Sequence, residues 1–187
     1  MPRRTIVSEP GSFYHIFNRG NNHQIIFHEQ ENYAHFLRAL HHHILHTAEI
    51  VAYVLMPNHY HLLVKLVTGD LSVAMHNLGV SYSKAINRWT GQTGAVFEGR
   101  YKSIAVNTDE YLTHMSRYIH LNPVRAKLVK HPDEWVFSSY RDYIGLRDGR
   151  LPSPDKVLEL FASRAEYQAF VESCAIDDEL IKDMMID

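Results

Sequence analysis

The chain reads as an α+β domain built on an antiparallel sheet, and three features of its pattern predict this. Aromatic and β-branched runs recur near 12–17, 49–55 and 59–67, each about the length of a strand, and a loop over 96–106 runs into a fourth. Between them lie segments whose apolar residues return every three or four positions, the period of a helix. Two of the runs, 49–55 and 59–67, are separated by little more than Pro57-Asn58, a turn signal that folds one back on the other. The resulting order is βαββαβα with its hairpin in the middle. A ferredoxin-like antiparallel sheet with helices packed on one face satisfies it.

Taken in order, Ser12 to Phe17 forms the first strand, and Asn18-Arg19-Gly20-Asn21-Asn22 the turn that leaves it. Such a loop offers Arg19, Asn21 and backbone N–H groups to a phosphate. From Glu29 to about Thr47 the residues Tyr33, Phe36, Leu37, Leu40 and Ile44 make one helical stripe. The opposite face carries His35, His41, His42, His43 and His46, read as a solvated face. Neighbouring helical residues diverge by about 100° and cannot share one ion. After the hairpin, Asp70 or Ser72 caps a helix to about Trp89, with Val73, Leu78, Val80 and Ile86 as its core positions. Arg100, Tyr101 and Lys102 then interleave charge with an aromatic ring, a pairing suited to single-stranded nucleic acid.

Thr108-Asp109-Glu110 opens a further helix, a hydroxyl cap followed by acids in the first turn. Leu112, Met115 and Ile119 form its core stripe, and Tyr111, His114, Tyr118 and Asn122 a polar and aromatic one beside it. Pro123 predicts that the helix ends at Asn122. Arg125, Lys127 and Lys130 follow, and Trp135 to Tyr140 supplies an aromatic anchor.

The 187 residues suffice for one domain, 1–149, with an acidic and mostly helical extension over 150–187. The formal charge of -2 hides a split. Residues 1–150 carry 16 Lys and Arg against 12 Asp and Glu, while 151–187 carry 3 against 9. The first part can face phosphate, and the second is repelled by it. The extension is therefore expected to pack away from any phosphate site and to be dispensable for chemistry there. No apolar run approaches a membrane span. A single cysteine, Cys174, excludes a disulfide framework and fits a reducing, cytoplasmic setting.

Two constellations carry chemistry. In Pro57-Asn58-His59-Tyr60-His61 the histidines stand two apart on a strand, so both rings point to one face and can share a cation. A pair of solvated histidines fits the same spacing. Farther on, Tyr118 and Asn122 stand one helical turn apart and can address one point.

These motifs, Pro57-Asn58-His59-Tyr60-His61 and Tyr118-Ile119-His120-Leu121-Asn122-Pro123-Val124-Arg125, resemble the HUH single-tyrosine transposases, most closely the REP-associated tyrosine transposases. Phe13 to Asn21, Gly94 to Ser103 and Trp135 to Tyr140 fit the same pattern, so the resemblance spans about 12–143. It implies a metal-dependent strand transferase acting on single-stranded, often hairpin-bearing DNA. It also implies His59 and His61 as metal ligands, Tyr118 as nucleophile, and Asn122 where the insertion-sequence branch usually has glutamine as third ligand. Two imidazoles and an amide suit Mg²⁺ or Mn²⁺, and could also hold Zn²⁺ or Ni²⁺. His114, one turn before Tyr118, is the candidate to take the phenol proton. Arg19, Asn21, Arg100, Tyr101, Lys102 and Arg125 are the candidate DNA contacts of a monomer or homodimer. A water-using phosphodiester hydrolase and a non-catalytic single-stranded DNA or RNA-binding module are the alternatives.

Overall fold

A computed structural model describes residues 9–68 and 71–173. The expected Asp70 cap, Cys174 and the helical reading beyond Ser173 lie outside the described residues. The elements are β1 (Phe13–Arg19), α1 (Gln30–His43), β2 (Ala48–Met56), β3 (His59–Leu66), α2 (Leu71–Thr90), β4 (Lys102–Val106) and α3 (Asp109–Arg125). Three short helices follow, α4 (Tyr140–Tyr143), α5 (Asp155–Leu158) and α6 (Arg164–Glu172). The four strands are antiparallel in the order β2-β3-β1-β4, as a ferredoxin-like βαββαβ path requires. The hairpin strand β3 is therefore central, with His59 opposite Arg19 and His61 opposite Phe17 of β1.

Helices cover both faces of the sheet, not one. Tyr14, Ile16, Tyr60, Leu62 and Val64 face α1 and α2 with Phe36, Leu40, Leu78 and Tyr82. Val51, Ala52, Val54, Met56 and Leu63 face α3 with Met115, Tyr118 and Ile119. The sign of this lies in β2, where Ile50 to Met56 is buried without a break, as in a strand covered on both sides. A bulge between Ile50 and Ala52 turns Val51 and Ala52 together into the α3-side core. The outer edge of β2 is also closed. Leu55 N–H donates to the Phe137 carbonyl at 2.9 Å, and Trp135 Nε1 donates to the Leu55 carbonyl at 3.0 Å. The anchor segment thus protects an edge that would otherwise pair with another chain.

Two local expectations are corrected. In α2, Val73 and Val80 are exposed, while Leu71, Ala74, Met75, Leu78, Tyr82 and Ile86 form the buried stripe. Tyr82 is fully buried because its hydroxyl donates to the Ile26 carbonyl at 2.8 Å, so its polar end has a partner. Ser72 sits inside the helix and is not its cap. In α3, Thr108 accepts from Tyr111 N–H as its pattern requires, but the helix runs through Pro123 to Arg125. It ends when Lys127 turns left-handed (φ 57°), with Lys127 N–H donating to the Val124 carbonyl and Leu128 N–H to that of Pro123. That extra turn keeps Asn122 in helical register with Tyr118.

The described part of the acidic segment is built into the core. Val157, Tyr167 and Val171 are fully buried in the cluster that holds Met115 and Ile119. Arg117 of α3 donates to the carbonyls of Val171 at 3.3 Å and Ser173 at 2.6 Å, satisfying the end of α6. Ser153 N–H donates to Ile50 at 2.8 Å, beside a bridge from Pro152 to β2. Segment and domain share one hydrophobic layer.

Gly20 fixes the exit of β1 next to the hairpin turn, its N–H donating to the Asn58 carbonyl at 2.7 Å. A Cβ there would lie 2.1 Å from the Gln24 carbonyl oxygen and 2.9 Å from Ile26 Cγ2, and backbone cannot yield cheaply. Gly20→Ala is expected to cost about 1–3 kcal/mol, typical of overpacking, measured as a lowered denaturant midpoint.

Candidate functional site

The β3 alternation puts His59 and His61 on the α3 face, with ring centroids 5.1 Å apart. His61 is fully buried and His59 partly so. Above them, α3 presents the edge of the Tyr118 ring to His61 at 5.3 Å. One turn later it brings Asn122 Oδ1 to 3.4 Å from His59 Nε2. The other ring nitrogen of His59, Nδ1, lies 2.7 Å from Asn58 Oδ1, so the turn residue orients the first histidine. These four side chains lie side by side where α3 crosses β3.

Sequence reasoning passed over a fifth. His15 of β1, fully buried, lies diagonally across the pleat from His61, with Nε2 2.9 Å from His61 Nδ1 and the two rings near-parallel at 12°, side by side with centroids 5.1 Å apart. The Phe17 ring stacks on that of His15 at 4.8 Å, and Tyr118 meets His15 edge-on at 6.2 Å. Only the β1–β3 register brings His15 to this place. Burial holds its pKa down at about 3, and burial with the neighbouring histidines holds that of His61 well below the usual range. Both rings are neutral at neutral pH, the form that ligates a cation.

The donor set suits a divalent cation. His61 Nε2 is buried without a hydrogen-bond partner among the described residues, and its companion donors are an imidazole nitrogen and an amide oxygen. Such a mixed N/O set is chemically compatible with a divalent cation. Among the described residues no three His, Cys, Asp or Glu cluster to hold a metal.

The expected DNA contacts divide. Lys102 lies opposite Phe17 on the histidine face, its Nζ 5.7 Å from that ring, and Arg125 holds its guanidinium 5.3 Å over the Tyr118 ring. Arg100 is exposed just before β4. Tyr101 instead packs half-buried against the α1/α2-side core with its hydroxyl on Ser72, because strand alternation sends it opposite to Lys102. Arg19 is paired with Glu98, including Nη2 to Oε1 at 3.2 Å, so a phosphate there must compete with a carboxylate. Asn21 opens a short turn and donates its N–H to Val96 at 2.9 Å.

His114 packs its ring against Phe170 of α6 at 5.4 Å, on the side of the acidic segment. His120 turns away from the site altogether, Nδ1 2.7 Å from the Tyr167 hydroxyl and Nε2 2.9 Å from Ser139 Oγ. Burial lowers its pKa to about 3. An unfolded histidine takes its proton near pH 6.5, so the stability of the folded form is intact above that value and lost progressively as pH falls towards 3. By pH 5 the loss from this one residue is roughly 2 kcal/mol. Denaturant midpoints of the metal-free protein at pH 7 and pH 5 check it, and equal midpoints would contradict it.

Residues 11–122 match the family model described as transposase IS200 like. No curated protein sequence matches the chain. Among solved structures, a REP-associated tyrosine transposase bound to a REP hairpin is similar at 19% identity and a TM-score of 0.61, over 82% of this chain and 97% of that one. A candidate transposase from Deinococcus radiodurans R1 matches at 16% identity and a TM-score of 0.41, over 64% of this chain and 95% of the other. The first of these likenesses supports the fold.

Proposed function

Because the chain belongs to the IS200-like transposase family, we propose that it cleaves and rejoins single-stranded, hairpin-bearing DNA through a covalent bond to Tyr118. A divalent cation, Mg²⁺ or Mn²⁺, is held by His59, His61 and Asn122 in this reading. One observation carries it. A histidine pair with a partnerless buried Nε2, an amide and a tyrosine ring meet on one sheet face. A metal-free binding module needs no such convergence.

Each side chain then has a task. His59, oriented by Asn58, and His61, oriented from β1, supply lone pairs, and Asn122 supplies an oxygen. When bound, the cation draws charge from a non-bridging phosphate oxygen and lowers the barrier to attack by an oxygen nucleophile. Tyr118 Oη attacks phosphorus, so the Oη–P bond forms and the P–O3′ bond breaks. The products are a 5′-phosphotyrosine and a free 3′-hydroxyl, which takes up a proton as the phenol loses one. Attack of a 3′-hydroxyl on the phosphotyrosine reverses the step and joins strands without an external energy source. A base at His114 would first have to turn from Phe170, so the proton is not routed through it here. Lys102 and Arg125 border the site as phosphate partners. The hairpin substrate is supported by the similar transposase solved with a REP hairpin.

The test is incubation with single-stranded hairpin DNA and Mn²⁺, followed by a denaturing gel. A slow-moving protein–DNA adduct is expected. Cleavage without adduct would favour water as nucleophile, and binding without cleavage a non-catalytic module. His59→Ala is expected to weaken Mn²⁺ binding at least about 10-fold while leaving the fold intact, checked by calorimetry and circular dichroism.

A further inference from the structure

We infer that His15 is a positioning residue for the metal site, accepting a hydrogen bond from His61 Nδ1–H and so leaving His61 Nε2 as the lone pair that faces the cation. This rests on the metal-site reading above. Its own observations are the 2.9 Å contact between His15 Nε2 and His61 Nδ1, the near-parallel rings at 12°, and the complete burial of both.

Two neutral imidazoles sharing one hydrogen bond have two arrangements. In one, His15 Nε2–H donates to His61 Nδ1, and the remaining proton of His61 sits on Nε2, where it blocks ligation. In the other, His61 Nδ1–H donates to His15 Nε2, and His61 Nε2 carries the lone pair. The outer atoms, His15 Nδ1 and His61 Nε2, both lack partners among the described residues. The protein therefore leaves the two arrangements nearly balanced, and a cation at Nε2 selects the second. Without an acceptor at His15, the ligating tautomer of His61 strands a buried N–H, a cost subtracted from metal binding. His59 receives equivalent orientation from Asn58 Oδ1, so each histidine has its own partner. The partner of His61 comes from β1, a strand that carries none of the candidate ligands.

The test is Mn²⁺ titration of metal-free wild type, His15→Phe and His15→Gln, followed by calorimetry and the Mn²⁺ paramagnetic resonance signal. Phenylalanine keeps the ring and removes the acceptor. Glutamine places an amide near the position of Nε2 and restores it. His15→Phe is expected to weaken Mn²⁺ binding about 10–100-fold, and His15→Gln to recover most of it. Should the phenylalanine variant not fold, His15→Asn, whose amide reaches only the Nδ1 position, takes its place against glutamine. In the Zn²⁺-loaded wild type, nitrogen-15 spectra should show His61 protonated at Nδ1. Wild-type affinity in His15→Phe, equal weakness in folded Gln and Phe variants, or a Zn²⁺-loaded His61 protonated at Nε2 would each overturn the inference alone. Failure of wild type to bind Mn²⁺ would instead remove the metal-site reading, and the inference with it.

Discussion

Tyr118→Phe is expected to abolish the covalent adduct and strand cleavage together, a loss of at least about a thousandfold, since no residual route uses the same nucleophile. The substitution removes one oxygen and keeps the ring, so the edge contact with His61 and the stack beneath Arg125 survive. Metal affinity, which the proposal assigns to His59, His61 and Asn122, should stay within a factor of a few of wild type. DNA affinity, which the proposal assigns to cations such as Lys102 and Arg125, should persist and fall steeply with salt. Three measurements on one variant, adduct on a denaturing gel, Mn²⁺ titration and DNA binding at two salt concentrations, separate chemistry from binding. Near-wild-type cleavage by the phenylalanine variant would assign the attack to water.

Ending the chain after Gly149 is expected to lose several kcal/mol of stability, enough to unfold a protein of ordinary margin. Val157, Tyr167 and Val171 leave the α3-side core, each fully buried side chain contributing about 1.5–3 kcal/mol. The cut also strands partners. His120 loses the Tyr167 hydroxyl, and Arg117 loses the carbonyls that hold its guanidinium. Both are buried in the intact fold, and the cut exchanges these hydrogen bonds for contacts with water. Thermal unfolding of the truncated and full chains decides the point, and an unchanged midpoint would show that the segment contributes no core. A milder probe, Tyr167→Phe, removes only the hydroxyl shared by His120 and Ser116, and should cost about 1–2 kcal/mol. Charge alone suggests a dispensable tail, because composition reports what a segment repels. It does not report which of its few apolar residues are inside.

Where local chemistry decides, the chain's pattern was enough. The alternation of β3 places His59 and His61 on one face whatever the rest of the molecule does, because a pleated strand has a period of two. The cap at Thr108 and the spacing of Tyr118 and Asn122 likewise follow from a helix of 3.6 residues per turn. Burial of both sheet faces, the core role of Tyr82 and the inclusion of Val157, Tyr167 and Val171 depended on packing between distant segments. Tyr101 left the histidine face through strand phase, and Arg19 acquired a carboxylate partner 79 residues away. His15 is the clearest case. Nothing in Phe13-Tyr14-His15-Ile16 marks one histidine as different from thirteen others. The register of β1 against β3 sets it diagonally across from His61, both rings fully buried and their nitrogens 2.9 Å apart. Residue order determined which atoms each element presents, and antiparallel pairing across 46 positions decided which of them meet.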